Sequence, residues 1–209
     1  MYNAANPMAH DGTKEFAPME QISQYAGNLL NHVETLYRPG ERDIAIQLAE
    51  ALGCTITDTG FKGDGHETFL AVHPNPNDLN PRNNAFYMSP MRPEQQALAA
   101  HLRRLIEENG DLRAKLEAYR MTARTKPFGV PHFALRYSSG KAVQEVADRV
   151  NAVLSPRLGD RLHVRVFRPD DADAAVDELV QGFVYQDVIV SGSFLYGQLI
   201  ELQSQPLQM

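Results

Sequence analysis

From Leu30 the chain sets His32, Glu34 and Leu36 against Val33, Thr35 and Tyr37, the period-two alternation of a strand. Arg38-Pro39-Gly40 closes it. The period then lengthens. Ile44, Leu48 and Leu52 share one stripe and predict a helix over 43–52 that stops at Gly53. Three further strands are predicted at 54–58, 68–73 and 85–89, with a turn at 62–65 and a loop rich in Pro and Asn at 74–84. Pro93 suits the first turn of a long helix striped by Leu98, Leu102, Leu105 and Ile106. Gly110 interrupts it, and Leu112, Leu116 and Tyr119 resume the pattern to about residue 124. After a linker at 126–129, His132, Ala134 and Arg136 alternate with Phe133, Leu135 and Tyr137, again as a strand. A helix over 141–154 follows, with Val143, Val146, Val150 and Val153 or Leu154 as its apolar face. A strand at 162–167, a short acidic helix at 170–181, and a hairpin pairing 183–190 with 194–203 around Ser191-Gly192-Ser193 complete the reading. Residues 1–27 carry no periodicity and read as a flexible arm.

The order strand, helix, three strands thus occurs twice. Each copy opens alike, as H-V-E-T-L-Y from His32 and as H-F-A-L-R-Y from His132, so a histidine and a tyrosine keep the same spacing. This predicts an α+β fold of two βαβββ units, 28–92 and 131–209, joined by a helical connector and linker at 93–130. A pseudo-twofold would curl the two sheets into an open-barrel cleft. In both opening strands the histidine lies on the face opposite the residues that pack on the helix, so both imidazoles are expected in that cleft.

Composition narrows the class. Of 209 residues, 43% are hydrophobic and 22% charged, which fits a packed globular chain and excludes general disorder. A net charge of −6 argues against nucleic-acid binding through the phosphate backbone. No apolar run approaches the ~18 residues of a membrane span, and no signal-peptide pattern precedes Leu29, so a cytoplasmic setting without membrane attachment is expected. The single cysteine, Cys54, rules out an internal disulfide and any CxxC site. Gly60, Gly63 and Gly65 precede no helix and form no dinucleotide fingerprint, and no G-x-S-x-G elbow occurs. Arg103-Arg104 and the basic residues of 120–126 read as a solvated helix face, with binding of an anionic partner behind that reading. The amphipathic connector is a candidate homodimer surface.

Three separated signals carry a resemblance: the strand-opening His32 before a helix ending Ala51-Leu52-Gly53, the strand-opening Pro131-His132, and the closing Gly197-Gln198-Leu199-Ile200-Glu201-Leu202. Over about 29–203 the chain resembles the vicinal oxygen chelate superfamily, which includes glyoxalase I, extradiol dioxygenases and fosfomycin and bleomycin resistance proteins. The resemblance implies a metal held by His32, His132 and Glu201. That is a 2-His-1-carboxylate set with open positions for substrate or oxygen, most suited to Fe(2+), with Mn(2+), Zn(2+) and Ni(2+) as alternatives. Read from the residues alone, a strand histidine is more often a hydrogen-bonded core or surface group, and a strand glutamate a solvated or paired one.

The strand at 84–89 has no carboxylate, so the fourth ligand of glyoxalase I-like members is missing and the three-ligand dioxygenase branch fits better. The last strands lack the further histidine of extradiol enzymes and offer Tyr185 and Tyr196 as proton-passing or substrate-orienting groups. Each of these tyrosines also reads as a strand residue packing across the sheet. Arg136 and Glu34 follow the two histidines by two residues and read as substrate contacts, supports for the ligands, or partners of each other. The expected function is a metal-dependent, dioxygenase-like enzyme acting on a small oxygenated substrate, aromatic ones included. The alternatives are a glyoxalase-like isomerase or lyase, and a metal-free protein that sequesters a small ligand.

Overall fold

The structure, a computed structural model, describes residues 31–62, 67–191 and 197–204. Its elements run β1 (His32–Tyr37), α1 (Arg42–Ala51), β2 (Thr55–Asp58), β3 (Leu70–His73), β4 (Ala85–Pro90), α2 (Pro93–Glu108), α3 (Gly110–Thr125), β5 (His132–Tyr137), α4 (Gly140–Leu158), a 3-10 turn (Gly159–Arg161), β6 (His163–Phe167), β7 (Gln181–Tyr185), β8 (Ile189–Val190) and β9 (Leu199–Ser204). The fold is α+β with two mixed sheets and no closed barrel among the described residues. One sheet has the order β2-β3-β4-β1-β8 and the other β5-β9-β7-β6. In each, the opening strand lies parallel to a later one: β1 beside β4, with Glu34 opposite Tyr87, and β5 beside β9, with Ala134 opposite Glu201.

One core joins the helix-facing sides of both sheets. Ile44, Leu48 and Leu52 meet Val143, Val150 and Leu154, and strand residues Tyr37, Met88, Leu135, Ile200 and Leu202 close around them. The end of α1 is held from across this core. Its last carbonyls have no partner within the helix. Arg149 Nε donates to the Ala51 carbonyl at 2.6 Å, and the Tyr137 hydroxyl to the Leu52 carbonyl at 2.8 Å. Gly53 turns the chain away at φ 89°, a left-handed value suited to glycine.

The connector breaks at Asn109, whose side chain accepts from the Leu112 amide at 3.0 Å and caps α3. The far face of the second sheet is covered: Ala123 of α3, with Tyr119 and Phe128, packs on Phe167, Phe183, Tyr185 and Leu199. No helix among the described residues is long and apolar enough to cross a membrane.

Two elements differ from expectation. The acidic helix at 170–181 does not form: residues 170–179 are turns and irregular backbone, and Gln181 already belongs to β7. Aspartate competes for backbone donors, as Asp171 does by accepting from the Arg168 amide at 2.7 Å. Nor do 183–190 and 194–203 pair as one hairpin. β7 pairs antiparallel with β9, while β8 leaves that sheet and pairs with β1 through Leu36–Val190 and Tyr37–Ile189. The buried Gln186 makes the break. Its Oε1 accepts from the Val188 and Ile189 amides at 2.7 and 2.8 Å, and its Nε2 donates to the Gln198 carbonyl at 2.7 Å.

Candidate functional site

Glu201 lies mid-strand between Ile200 and Leu202. Alternation sends those two into the shared core and Glu201 to the other face. There its side chain is only 6% exposed, so its charge needs partners. Oε1 accepts from Gln181 Nε2 at 2.6 Å, and Oε2 stands 3.0 Å from His132 Nε2. The imidazole is oriented from behind, because His132 Nδ1 donates to the Val130 carbonyl at 2.6 Å. With Nδ1 protonated, a bare Nε2 would face a carboxylate lone pair to lone pair. A proton, or another cation, therefore has to sit between Nε2 and Oε2.

His32 has a different partner. Its Nδ1 lies 2.8 Å from Asn31 Oδ1, and its ring stacks on Tyr87 at 4.4 Å. The register explains the difference. Tyr87 stands opposite Glu34 in β4, as Glu201 stands opposite Ala134 in β9. Each histidine thus meets the diagonal residue of its neighbouring strand, an aromatic ring in one sheet and a carboxylate in the other. Among the described residues no group of three or more His, Cys, Asp or Glu side chains is arranged to hold a metal ion. The residues present supply an imidazole–carboxylate pair. They do not bring His32 to it as the third member of a 2-His-1-carboxylate set.

The remaining expected residues are dispersed. Tyr185 is buried at 5% exposure in the apolar cluster under α3, with the Arg124 guanidinium 4.7 Å above its ring. Arg136 is exposed on β5. Glu34 accepts from the Ser89 hydroxyl at 2.6 Å. Tyr196 lies outside the described residues.

A concave site not anticipated from the sequence lies on the open face of the first sheet, a cavity of about 460 Å³ closed at one side by the start of α2. Its walls include Glu34, Phe61, Lys62, Phe69, Tyr87 and Ser89. The rings are set edge to face, Phe61 to Phe69 at 6.2 Å and Phe69 to Tyr87 at 5.1 Å. Phe61 is 65% exposed, so one ring is left open to a ligand at the mouth. The alternation of Tyr87 and Ser89 against Phe86 and Met88 was the available signal. Phe61 and Phe69 flank a turn and carried none.

Two histidines bear on stability. His73 is 1% exposed and neither ring nitrogen has a hydrogen-bond partner among the described residues. Burial holds it below the usual histidine value, against a small opposing pull from Asp78. His163 is lowered too, by burial and then by Arg124 and Arg165. The unfolded chain takes up these protons as the pH falls through about 6.5, and the folded chain only below that. Their contribution is therefore whole above that value and declines as the pH drops toward the folded-state values. Urea midpoints are expected to fall between about pH 7.5 and 5.5, and His73→Leu to make that fall shallower. An unchanged slope in His73→Leu would show that His73 does not carry the effect.

The sequence matches no protein-family model and none of the curated proteins. Among solved structures, a hypothetical protein of S. aureus is similar at 9% identity over 83% of this chain and 92% of that one, with a TM-score of 0.39, a likeness too slight to carry any argument.

Proposed function

We propose that the chain is a small-ligand-binding protein built on two βαβββ units related by a pseudo-twofold, and that it holds a compact aromatic compound bearing an amine or hydroxyl group. The observation that carries this reading is the cavity of about 460 Å³, whose walls hold three aromatic rings together with a carboxylate hydrogen-bonded to a serine hydroxyl. That volume is within the usual range for small-molecule sites. The rings offer flat apolar walls, and Glu34 accepts from a donor on the ligand.

Calorimetric titration with a panel of aromatic amines, catechols and their cyclohexyl counterparts tests it. One aromatic ligand per chain is expected, with the cyclohexyl compounds weaker. Tyr87→Ala should weaken binding by about tenfold through the lost ring face. Glu34→Gln should weaken amines by roughly ten- to a hundredfold and neutral ligands less. An absence of binding across the panel, or full affinity in Tyr87→Ala, would remove this reading.

A second reading, a metal-dependent enzyme of the dioxygenase or glyoxalase-like kind, is favoured by one observation. The 3.0 Å between His132 Nε2 and Glu201 Oε2 suits two adjacent ligands of a first-row ion at roughly 2.1 Å, and metal-bound histidines commonly donate their other nitrogen to a carbonyl as His132 does. Such an ion would supply Lewis acidity to a bound oxygenated substrate. Metal analysis of protein purified without chelator decides between the readings. About one ion per chain, lost in Glu201→Gln, supports the enzyme, and oxygen uptake with catechols then separates dioxygenase from isomerase.

A further inference from the structure

A second cavity, of about 550 Å³, opens where the first half, the connector and the second half meet. Arg38 and Glu41 reach it from the turn between β1 and α1, Arg103 from α2, Arg161 from the 3-10 turn, and Asp187 from the link between β7 and β8. Arg161 alone serves both acids, with Nη2 at 2.7 Å from Glu41 and 2.7 Å from Asp187. Arg38 stands further off, 3.8 Å from Asp187, and its Nε is buried with no hydrogen-bond partner among the described residues. Arg103 is exposed on α2 and lines the same space. Three guanidinium groups thus face two carboxylates, an excess of one positive charge.

The least solvated of these charges is that of Arg38. The Arg38 side chain is 17% exposed, and burial, then Arg103 and Arg161, weigh against its charged form, while Asp187 and Glu41 only partly offset them. Beside the cations runs an apolar wall of Pro39, Met91 and Ala99. A group that fits must carry about one negative charge, accept hydrogen bonds from two planar forks, and present an apolar body. A carboxylate has two oxygens for such forks.

We propose that this cavity binds a small organic monoanion, with its carboxylate between Arg38 and Arg103 and its body against Met91, Pro39 and Ala99. The site shares Met91 with the aromatic cavity on the first sheet, but its three arginines and two acids do not line that cavity, and Glu34 does not line this one. Because its walls come from both halves and the connector, a bound anion stabilises the folded chain by linkage.

The test is calorimetry on the full chain at low ionic strength with benzoate, against acetate, inorganic phosphate and chloride. One benzoate per chain is expected, with acetate weaker for want of an apolar body and chloride unable to displace benzoate at matched ionic strength. Arg103→Met should weaken benzoate by about tenfold or more at an unchanged melting temperature. Arg38→Met should do the same, and Arg113→Met, exposed on α3 outside the cavity, should not. Because Arg103 is exposed, its variant keeps the test decisive even if Arg38→Met does not fold. Unchanged benzoate affinity in Arg103→Met, displacement by chloride at equal concentration, or phosphate binding more tightly than benzoate would each overturn the proposal.

Discussion

Gly197→Ala is expected to remove roughly 3 kcal/mol of stability, far more than a surface glycine would. A Cβ added there would stand 1.3 Å from the Gln186 carbonyl oxygen, 2.3 Å from its carbon and 2.6 Å from the Asp187 Cα. All three are backbone atoms, so no side-chain rotation relieves the overlap. Nor can the chain simply step aside. Gly197 bridges Val190, the Gln198 amide donates to the Ile189 carbonyl at 2.7 Å, and Gln186 ties the same segment through its side chain. Making room means drawing β9 away from β8, and with it loosening the contact of β8 with β1. Gly197 is not among the glycines with left-handed backbone, so the requirement is space and not conformation. Urea unfolding measures the loss, and a midpoint equal to that of the parent chain would refute the close approach.

Leu48→Ala should cost about 3 kcal/mol, within the roughly 2–5 kcal/mol usual for a fully buried leucine. Leu48 is 0% exposed in the cluster that holds residues of both sheets and both of the helices α1 and α4. Its cavity would open between the two halves, so the two should weaken together. The expected signature is one transition at lower denaturant, coincident by far-ultraviolet circular dichroism and by tyrosine absorption, since Tyr37 and Tyr137 report from opposite halves. Two separated transitions would show that the halves unfold independently and that the core is not shared.

Much of the element order was legible because periodicity is local. The stripe of Ile44, Leu48 and Leu52 marked α1, Pro93 marked the start of α2, and alternation around Glu201 placed it opposite Ile200 and Leu202, where it stands. The misreadings share a cause. Residues 170–179 carry a thin stripe of Ala172, Val176 and Leu179 that reads as a helix, yet aspartates prefer to bond nearby amides, and Val176 stays 37% exposed, so no packing opposed that preference. β8 is two residues long, too short for any period, and its transfer to the first sheet depends on Gln186, one buried amide with no pattern around it.

The candidate site divides the same way. That His32, His132 and Glu201 leave the helix-packed faces follows from strand alternation, which the backbone imposes at every residue. Which of them meet was set by strand order. β9 runs beside β5 and brings Glu201 to His132, while β4 runs beside β1 and brings Tyr87 to His32. The amino-acid sequence by itself determined the facing of each side chain, because facing depends only on a residue's neighbours in the chain. Only the tertiary structure decided the partners, because pairing strands some fifty to seventy residues apart depends on how the whole core packs.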